Sequence, residues 1–212
     1  PFSHGQYLAD HIAGAQLVAR PGRATGFIPV SFPGTAEHIA EFLTGAASPV
    51  AIDRVLTTIL FSDIVASTSQ LVDVGDEAWR RVLDGHDRVV REQIRLYRGR
   101  EINTTGDGFV VSFDGPARGI RCAQAMTEAL ATLGLEVRFG LHCGECEIRG
   151  DDLAGLAVHI AARVGSLAGP GEVLVSGTVR DLVAGSGIEF DGHGEHELKG
   201  VPGSWKLFAV KG

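Results

Sequence analysis

Two aspartates have the residue type and surroundings to act on one substrate. Asp63 ends the apolar run Leu60-Phe61-Ser62-Asp63-Ile64, and Asp107 lies in Thr105-Gly106-Asp107-Gly108. The first run reads as a buried strand, and Asp-Gly between two strand-like segments reads as a hairpin tip. With the hairpin beside the strand, both carboxylates converge on one edge of a sheet. Two carboxylates held together at neutral pH repel unless a positive charge lies between them. Magnesium and manganese supply that charge through oxygen ligands, often one or two carboxylates plus substrate phosphates. Two such ions suit in-line displacement at phosphorus, where they clamp the attacking and leaving oxygens. Taken singly, Asp63 could cap the following helix and Asp107 could make a turn for local hydrogen-bonding reasons. It is the pair that points to a metal site.

After Asp63 comes Ile64-Val65-Ala66-Ser67-Thr68-Ser69. Ser67 or Thr68 is expected to cap a helix, whose free N–H groups suit a phosphate chain. No G-x-x-x-x-G-K-[ST] occurs, so a triphosphate must be held differently from that of a P-loop enzyme.

The elements that position these residues follow from periodicity. Val55 to Val65 reads as a strand, and Trp79, Val82, Leu83, Val89, Val90, Ile94 and Tyr97 recur at helical spacing. Glu101 to Thr105 and Phe109 to Phe113 read as the hairpin strands. Pro116 opens a helix through Ile120, Ala123, Met126, Leu130 and Leu133. Val137 to Ile148 is expected as a strand, Leu153 to Ala168 as a helix, Val173 to Ser176 as a strand, and Ile188 to Val210 as short strands with Gly-rich turns. The order strand, helix, strand, strand, helix, strand predicts an α+β fold, a ferredoxin-like (palm-like) sheet with helices on one face.

At this point several ordered motifs resemble the class III adenylate and guanylate cyclases. They are Phe61-Ser62-Asp63-Ile64, Thr105-Gly106-Asp107-Gly108, Gly140-Leu141-His142-Cys143-Gly144, the stretch from Asp152 to Arg163, and Leu198-Lys199-Gly200. The likeness covers about residues 53 to 212. It implies a class III nucleotide cyclase fold and a head-to-tail homodimer whose two sites are each built from both chains. It further implies that Asp63 and Asp107, with the backbone carbonyl of Ile64, hold two divalent cations, Mg2+ or Mn2+. From the other chain, Arg163 falls where the family stabilises charge growing on the α-phosphate, and Lys199 where it binds the terminal phosphates. Arg149 is expected to reach the β-phosphate, and Asp152 to read the adenine amino group. The implied reaction closes ATP into cyclic AMP with release of pyrophosphate.

Two positions depart from the family pattern. Asn103 stands where a lysine usually contacts adenine, and His159 where an asparagine usually orients the ribose. Asn103 is shorter and uncharged, and a lost polar contact costs ~1–3 kcal/mol, so base selection should loosen toward side activity on GTP. Histidine can donate to the ribose, and as a residue type whose charge changes near neutral pH it makes turnover pH-dependent. His159 and Arg163 stand four apart, on one helix face. The substitutions also favour a rival, a cyclase-like domain that binds nucleotide and signals by dimerisation without turnover. A polymerase-like palm would share the paired aspartates.

Composition excludes other classes. The chain has 212 residues, 44% hydrophobic and 21% charged, with a formal net charge of −7. That acidity argues against a nucleic-acid groove and the polymerase reading. No apolar run approaches a membrane span and no signal peptide is recognisable, so a cytoplasmic protein is expected. Cys122, Cys143 and Cys146 are too few for a disulfide scaffold. Cys143 and Cys146 form a C-x-x-C, but on a strand that spacing sends the thiols to opposite faces. His86 is expected as a packed core histidine, and His193 and His196 lie in a short tail strand, where metal binding is an open but secondary reading. Small residues and turn formers at Thr44 to Pro49 mark a break. Residues 46–52 are expected as a linker, and residues 1–45 resemble the C-terminal end of an α/β-hydrolase, read as a helix (Tyr7 to Ala13), a strand (Gln16 to Ala19) and a helix (Thr35 to Leu43). The hydrolase histidine expected near Gly26 and the G-x-S-x-G nucleophile motif are both missing from the sequence.

Overall fold

The computed structural model describes residues 2–17, 39, 42, 43 and 53–212. Its contacts divide the chain into two units, 1–51 and 52–212. In the first, α1 (Phe2–His11) stacks Tyr7 on His11 at 4.0 Å and leaves Tyr7, Leu8 and Ile12 exposed. The strand expected at 16–19 and the helix expected at 35–43 fall largely outside the described residues, and most of the hydrolase-like stretch falls there too.

The second unit is a mixed α+β sheet with helices on both faces. Chain order is β1 (Arg54–Ile64), α2 (Ser67–Val74), α3 (Asp76–Leu96), β2 (Arg100–Thr104), β3 (Phe109–Phe113) and α4 (Pro116–Ala131). There follow β4 (Val137–Arg149), β5 (Asp152–Ala154), α5 (Leu156–Leu167), β6 (Val173–Ser176), α6 (Gly177–Leu182), β7 (Phe190–Glu197) and β8 (Ser204–Val210). Strands lie in the order β2-β3-β1-β4-β6-β8-β7, with β5 paired to β4. Among the described strands only β4 and β6 pair in parallel.

Alternation along the central strands separates two cores. Leu60, Phe139, Leu141 and Cys143 join Trp79, Val90 and Ile94 of α3 and Ile120, Met126 and Leu130 of α4 in one cluster. Ile59, Val110 and Cys146 meet Leu153, Ala157 and Ala161 in another, under α5. The expectation of helices on one face is thus corrected, because α5 covers the other. Glycine makes room for it. A Cβ on Gly140 would lie 2.0 Å from the backbone nitrogen of Gly165, and one on Gly144 would lie 2.9 Å from Ala157 Cβ. Contacts this close let the helix backbone rest directly on β4. Cys143 and Cys146 point to opposite faces, as the strand period requires, and all three cysteines are free and buried.

Two boundaries differ from expectation. The helix expected from Leu153 starts at Leu156, because Asp152–Ala154 pairs back on β4 and Gly155, at φ +123°, turns the chain in a conformation that favours glycine. The cap expected from Ser67 or Thr68 does not form. Ala66 occupies the N-cap of α2 at φ 54°, with no side-chain bond to the free N–H groups. A non-glycine residue in the left-handed region is uncommon, and this one stands two residues after the end of β1.

Candidate active site

The Asp107 hairpin does lie beside β1. Strand β3 pairs with β1 from Thr58↔Phe113 to Phe61↔Val110, which brings the hairpin tip to the Asp63 end of β1. The tip is closed by Thr105 N–H donating to the Gly108 carbonyl at 2.9 Å. It is fixed to β1 by Phe109 N–H, which donates to the buried Ser62 Oγ at 3.0 Å. Gly108 packs so tightly on Ser62 that an added Cβ would sit 2.1 Å from its carbonyl oxygen. Asp107 and Asp63 therefore flank one backbone contact, each next in sequence to a residue that makes it.

Asp63 has a partner that the sequence reading missed. In the β1–β4 register Asp63 stands opposite Arg138. Arg138 donates from Nε to Asp63 Oδ2 at 2.9 Å and from Nη2 to the same oxygen. The two side chains are 38% and 34% exposed, so the pair borders a cleft rather than filling the core. A cavity of about 130 Å3 opens beside it, lined by Ser62, Asp63, Thr105, Arg138, Gly165 and Ser166 among others. An arginine inside the otherwise apolar run Val137 to Leu141 was the available signal, since such a strand rarely carries a charge without reason.

The other candidates lie elsewhere. Ile64 is buried and pairs with Val137. Asn103 lies on edge strand β2 beside a bulge, and its Oδ1 accepts from Thr104 N–H at 2.8 Å. Arg149 and Asp152 face each other across the β4–β5 turn. Arg149 is held by Glu147 at 2.9 Å, which pushes its pKa up, and Asp152 Oδ1 accepts from Leu153 N–H at 2.8 Å. Arg149 and Arg138 occupy opposite ends of β4, roughly 35 Å apart at ~3.3 Å per residue. The base-reading candidate is therefore remote from the metal candidates of its own chain. His159 and Arg163 are exposed on α5, and Arg163 Nε donates to the Lys199 carbonyl at 3.1 Å. It is Ala162, Gly165 and Ser166 that α5 turns toward the Asp63 cavity.

Two histidines near these elements are structural. His142 is buried under the α5 face, shares a 2.8 Å hydrogen bond with Ser176 Oγ, and meets Trp205 edge-on at 5.6 Å. Burial pulls its pKa down to about 4. His86 is buried against Phe109, and burial lowers its pKa too, opposed by Asp87 and more weakly by Asp107.

The donor set fits Mg2+ or Mn2+ better than zinc. Among the described residues no three His, Cys, Asp or Glu side chains converge. Two carboxylates with backbone oxygens and substrate phosphates are the usual protein share of a magnesium site.

Residues 51–212 match the family model described as adenylate and guanylate cyclase catalytic domain. The chain belongs to this family. A Rhizobium meliloti protein provisionally named adenylate cyclase 3 is 30% identical over 161 residues, covering 71% of this chain and 27% of that protein. An adenylate cyclase of Lachancea kluyveri is 30% identical over 150 residues, 56% of this chain and 8% of its own length. The cyclase chain thus spans only a small part of these relatives. The fold is also that of solved cyclases. The adenylyl cyclase CyaB from P. aeruginosa aligns with a TM-score of 0.66 at 23% identity, covering 76% of this chain and 95% of the other. A guanylyl cyclase aligns with a TM-score of 0.69 at 26% identity, covering 74% and 92%. No described helix is long and apolar enough to cross a membrane.

Proposed function

We propose that this cyclase domain converts ATP to 3′,5′-cyclic AMP and pyrophosphate at a site shared by two head-to-tail copies, with GTP as a slower substrate. The observation that carries this reading is the joining of the Asp107 hairpin to the Asp63 end of β1, with Arg138 facing Asp63. On this account residues 53–212 are the catalytic domain, 46–52 a linker, and 1–45 the end of an upstream hydrolase-like domain.

Asp63, Asp107 and the backbone carbonyl of Ile64 would hold two divalent cations. When bound, these supply a lowered pKa at the ribose 3′-hydroxyl and charge neutralisation at the α-phosphate. Arg138 balances the charge of Asp63 in the free protein and turns to the incoming phosphates, which its planar fork suits. From the second copy, Arg163 stabilises charge developing on the α-phosphate, Lys199 binds the terminal phosphates, and Arg149 lies toward the β-phosphate. Asp152 accepts from the adenine amino group, Asn103 contacts the base, and His159 orients the ribose.

The roughly 35 Å between Arg149 and Arg138 along β4 favours a two-chain site. Asn103 and His159, both short of the family pattern, favour the second reading of a nucleotide-binding domain without turnover. The test is cyclic AMP and cyclic GMP formation from ATP and GTP with Mn2+, beside Asp107→Ala. Both products are expected, with cyclic AMP in excess, and the variant should lose at least about a hundredfold, the scale for removing a group that stabilises transition-state charge. Nucleotide binding with no product at high protein concentration would establish the second reading instead.

A further inference from the structure

Strand β7 carries a bulge that gathers chemistry at the edge of the sheet opposite β2. Its register against β8 runs Gly192↔Phe208 and then Gly194↔Leu207, so His193 is the extra residue. Residues three apart on a regular strand face opposite sides. The insertion puts His193 and His196 on the same side, helped by Gly194 at φ +97°. A side chain at Gly194 would find room, its Cβ lying 3.7 Å from His196 Nε2, but would be strained by the positive φ.

The rings stack with centroids 5.0 Å apart, and His193 Nδ1 lies 3.1 Å from His196 Nε2. His196 Nε2 also lies 2.9 Å from the His193 carbonyl, which can only accept, so that nitrogen carries the proton. His193 Nδ1 then meets it with a lone pair, and His193 keeps its proton on Nε2. That nitrogen is 3.9 Å from Glu172 Oε1, while Glu172 Oε2 accepts from Gly169 N–H at 2.7 Å.

We propose that His193 and His196 bind one divalent transition ion of the Zn2+, Ni2+ or Cu2+ type, with Glu172 orienting His193 from behind. Imidazole suits these ions, whereas Mg2+ prefers oxygen. Two ring nitrogens on one tetrahedral zinc at 2.0–2.1 Å lie about 3.3–3.4 Å apart, close to the present 3.1 Å, and the rings, whose nitrogens now face each other in a hydrogen bond, must also turn so that both lone pairs meet at the metal. His193 already holds the required tautomer, and its other N–H lies 3.9 Å from Glu172 Oε1, so a small shift must bring the carboxylate into the hydrogen-bonding position usual behind a ligating histidine. His196 must move its proton from Nε2 to Nδ1. Because no three side chains converge among the described residues, water completes the coordination. This site does not depend on the cyclase reading.

Trp205 is the cross-strand neighbour of His196 and provides a reporter. The experiment titrates the untagged full chain with Zn2+ by calorimetry in a large excess of Mg2+, which occupies oxygen sites. It then titrates Ni2+ against fluorescence in Trp79→Phe, which leaves Trp205 as the sole tryptophan. One Zn2+ per chain is expected, with affinity falling more than tenfold in His193→Ala and His196→Ala. Glu172→Gln should cost about tenfold. Ni2+ should quench Trp205, and His193→Ala should abolish the quenching. Circular dichroism checks that each variant is folded. The absence of saturable binding, or binding that both histidine variants retain, would overturn the proposal. Unchanged affinity in Glu172→Gln alone would remove Glu172 from it.

Discussion

Arg138 facing Asp63 is the residue-scale feature with the most immediate consequences. If its guanidinium passes to the phosphates of the nucleotide, Arg138→Ala removes charge-assisted hydrogen bonds of about 1.5–3 kcal/mol. Steady-state kinetics should show kcat/KM falling about 10- to 100-fold, with Arg138→Lys recovering only part because it lacks the planar fork. Unchanged kinetics in Arg138→Ala would reduce the pair to a strand-end ion pair. His142 makes a separate prediction about stability. Its folded pKa lies at about 4, below the ordinary 6.5, so between those values the unfolded chain binds a proton that the folded chain refuses. Stability should therefore fall with pH through that window, by about 2 kcal/mol between pH 8 and pH 5 from this residue alone. His86 shifts the same way. Urea midpoints at the two pH values, compared with His142→Gln, would measure the effect. The position of the Asp107 hairpin beside the Asp63 end of β1 and the core placement of His86 were legible in the sequence. An arginine in an apolar run was a visible signal, but its pairing with Asp63 comes from cross-strand register, which no local pattern states.

At the scale of elements, the docking of α5 on β4 depends on backbone meeting backbone. A methyl group on Gly140 would collide with Gly165, which cannot move away without lifting the helix. Gly140→Ala should cost about 3 kcal/mol or more in a denaturation experiment, the upper end for overpacking. Gly192→Ala, at an exposed glycine without positive φ where an added Cβ meets nothing within 4 Å, should stay within about 0.5 kcal/mol. Equal losses would contradict the packing account. The Asp-Gly turn located the Asp107 hairpin, and periodicity located α3 and α4 because each buries one regular apolar face. It misplaced the start of α5, where the pairing of Asp152–Ala154 on β4 outweighs local helical preference. It also assigned the start of α2 to a serine or threonine cap, whereas the chain leaves β1 through a left-handed Ala66. The bulge that unites His193 and His196 was hidden for the same reason, because a strand's period is readable and its interruptions are not.

At the scale of the molecule, the proposed active-site residues do not assemble within one chain. Asp63, Asp107 and Arg138 gather at one end of the central strands, Arg149 and Asp152 lie at the far end of β4, and Arg163 faces Lys199 rather than the Asp63 cavity. A two-fold dimer can bring the groups together, and then each site takes one set from each copy. Mixing Asp107→Ala chains with Arg163→Ala chains tests this most directly. Each variant alone should be inactive. In a random mixture about half the dimers are mixed, and each of those has one intact site and one doubly damaged site. The account predicts recovery of about a quarter of the wild-type activity. A mixture as inactive as its components, with mixed dimers shown to form, would contradict it and place the whole site within a single chain.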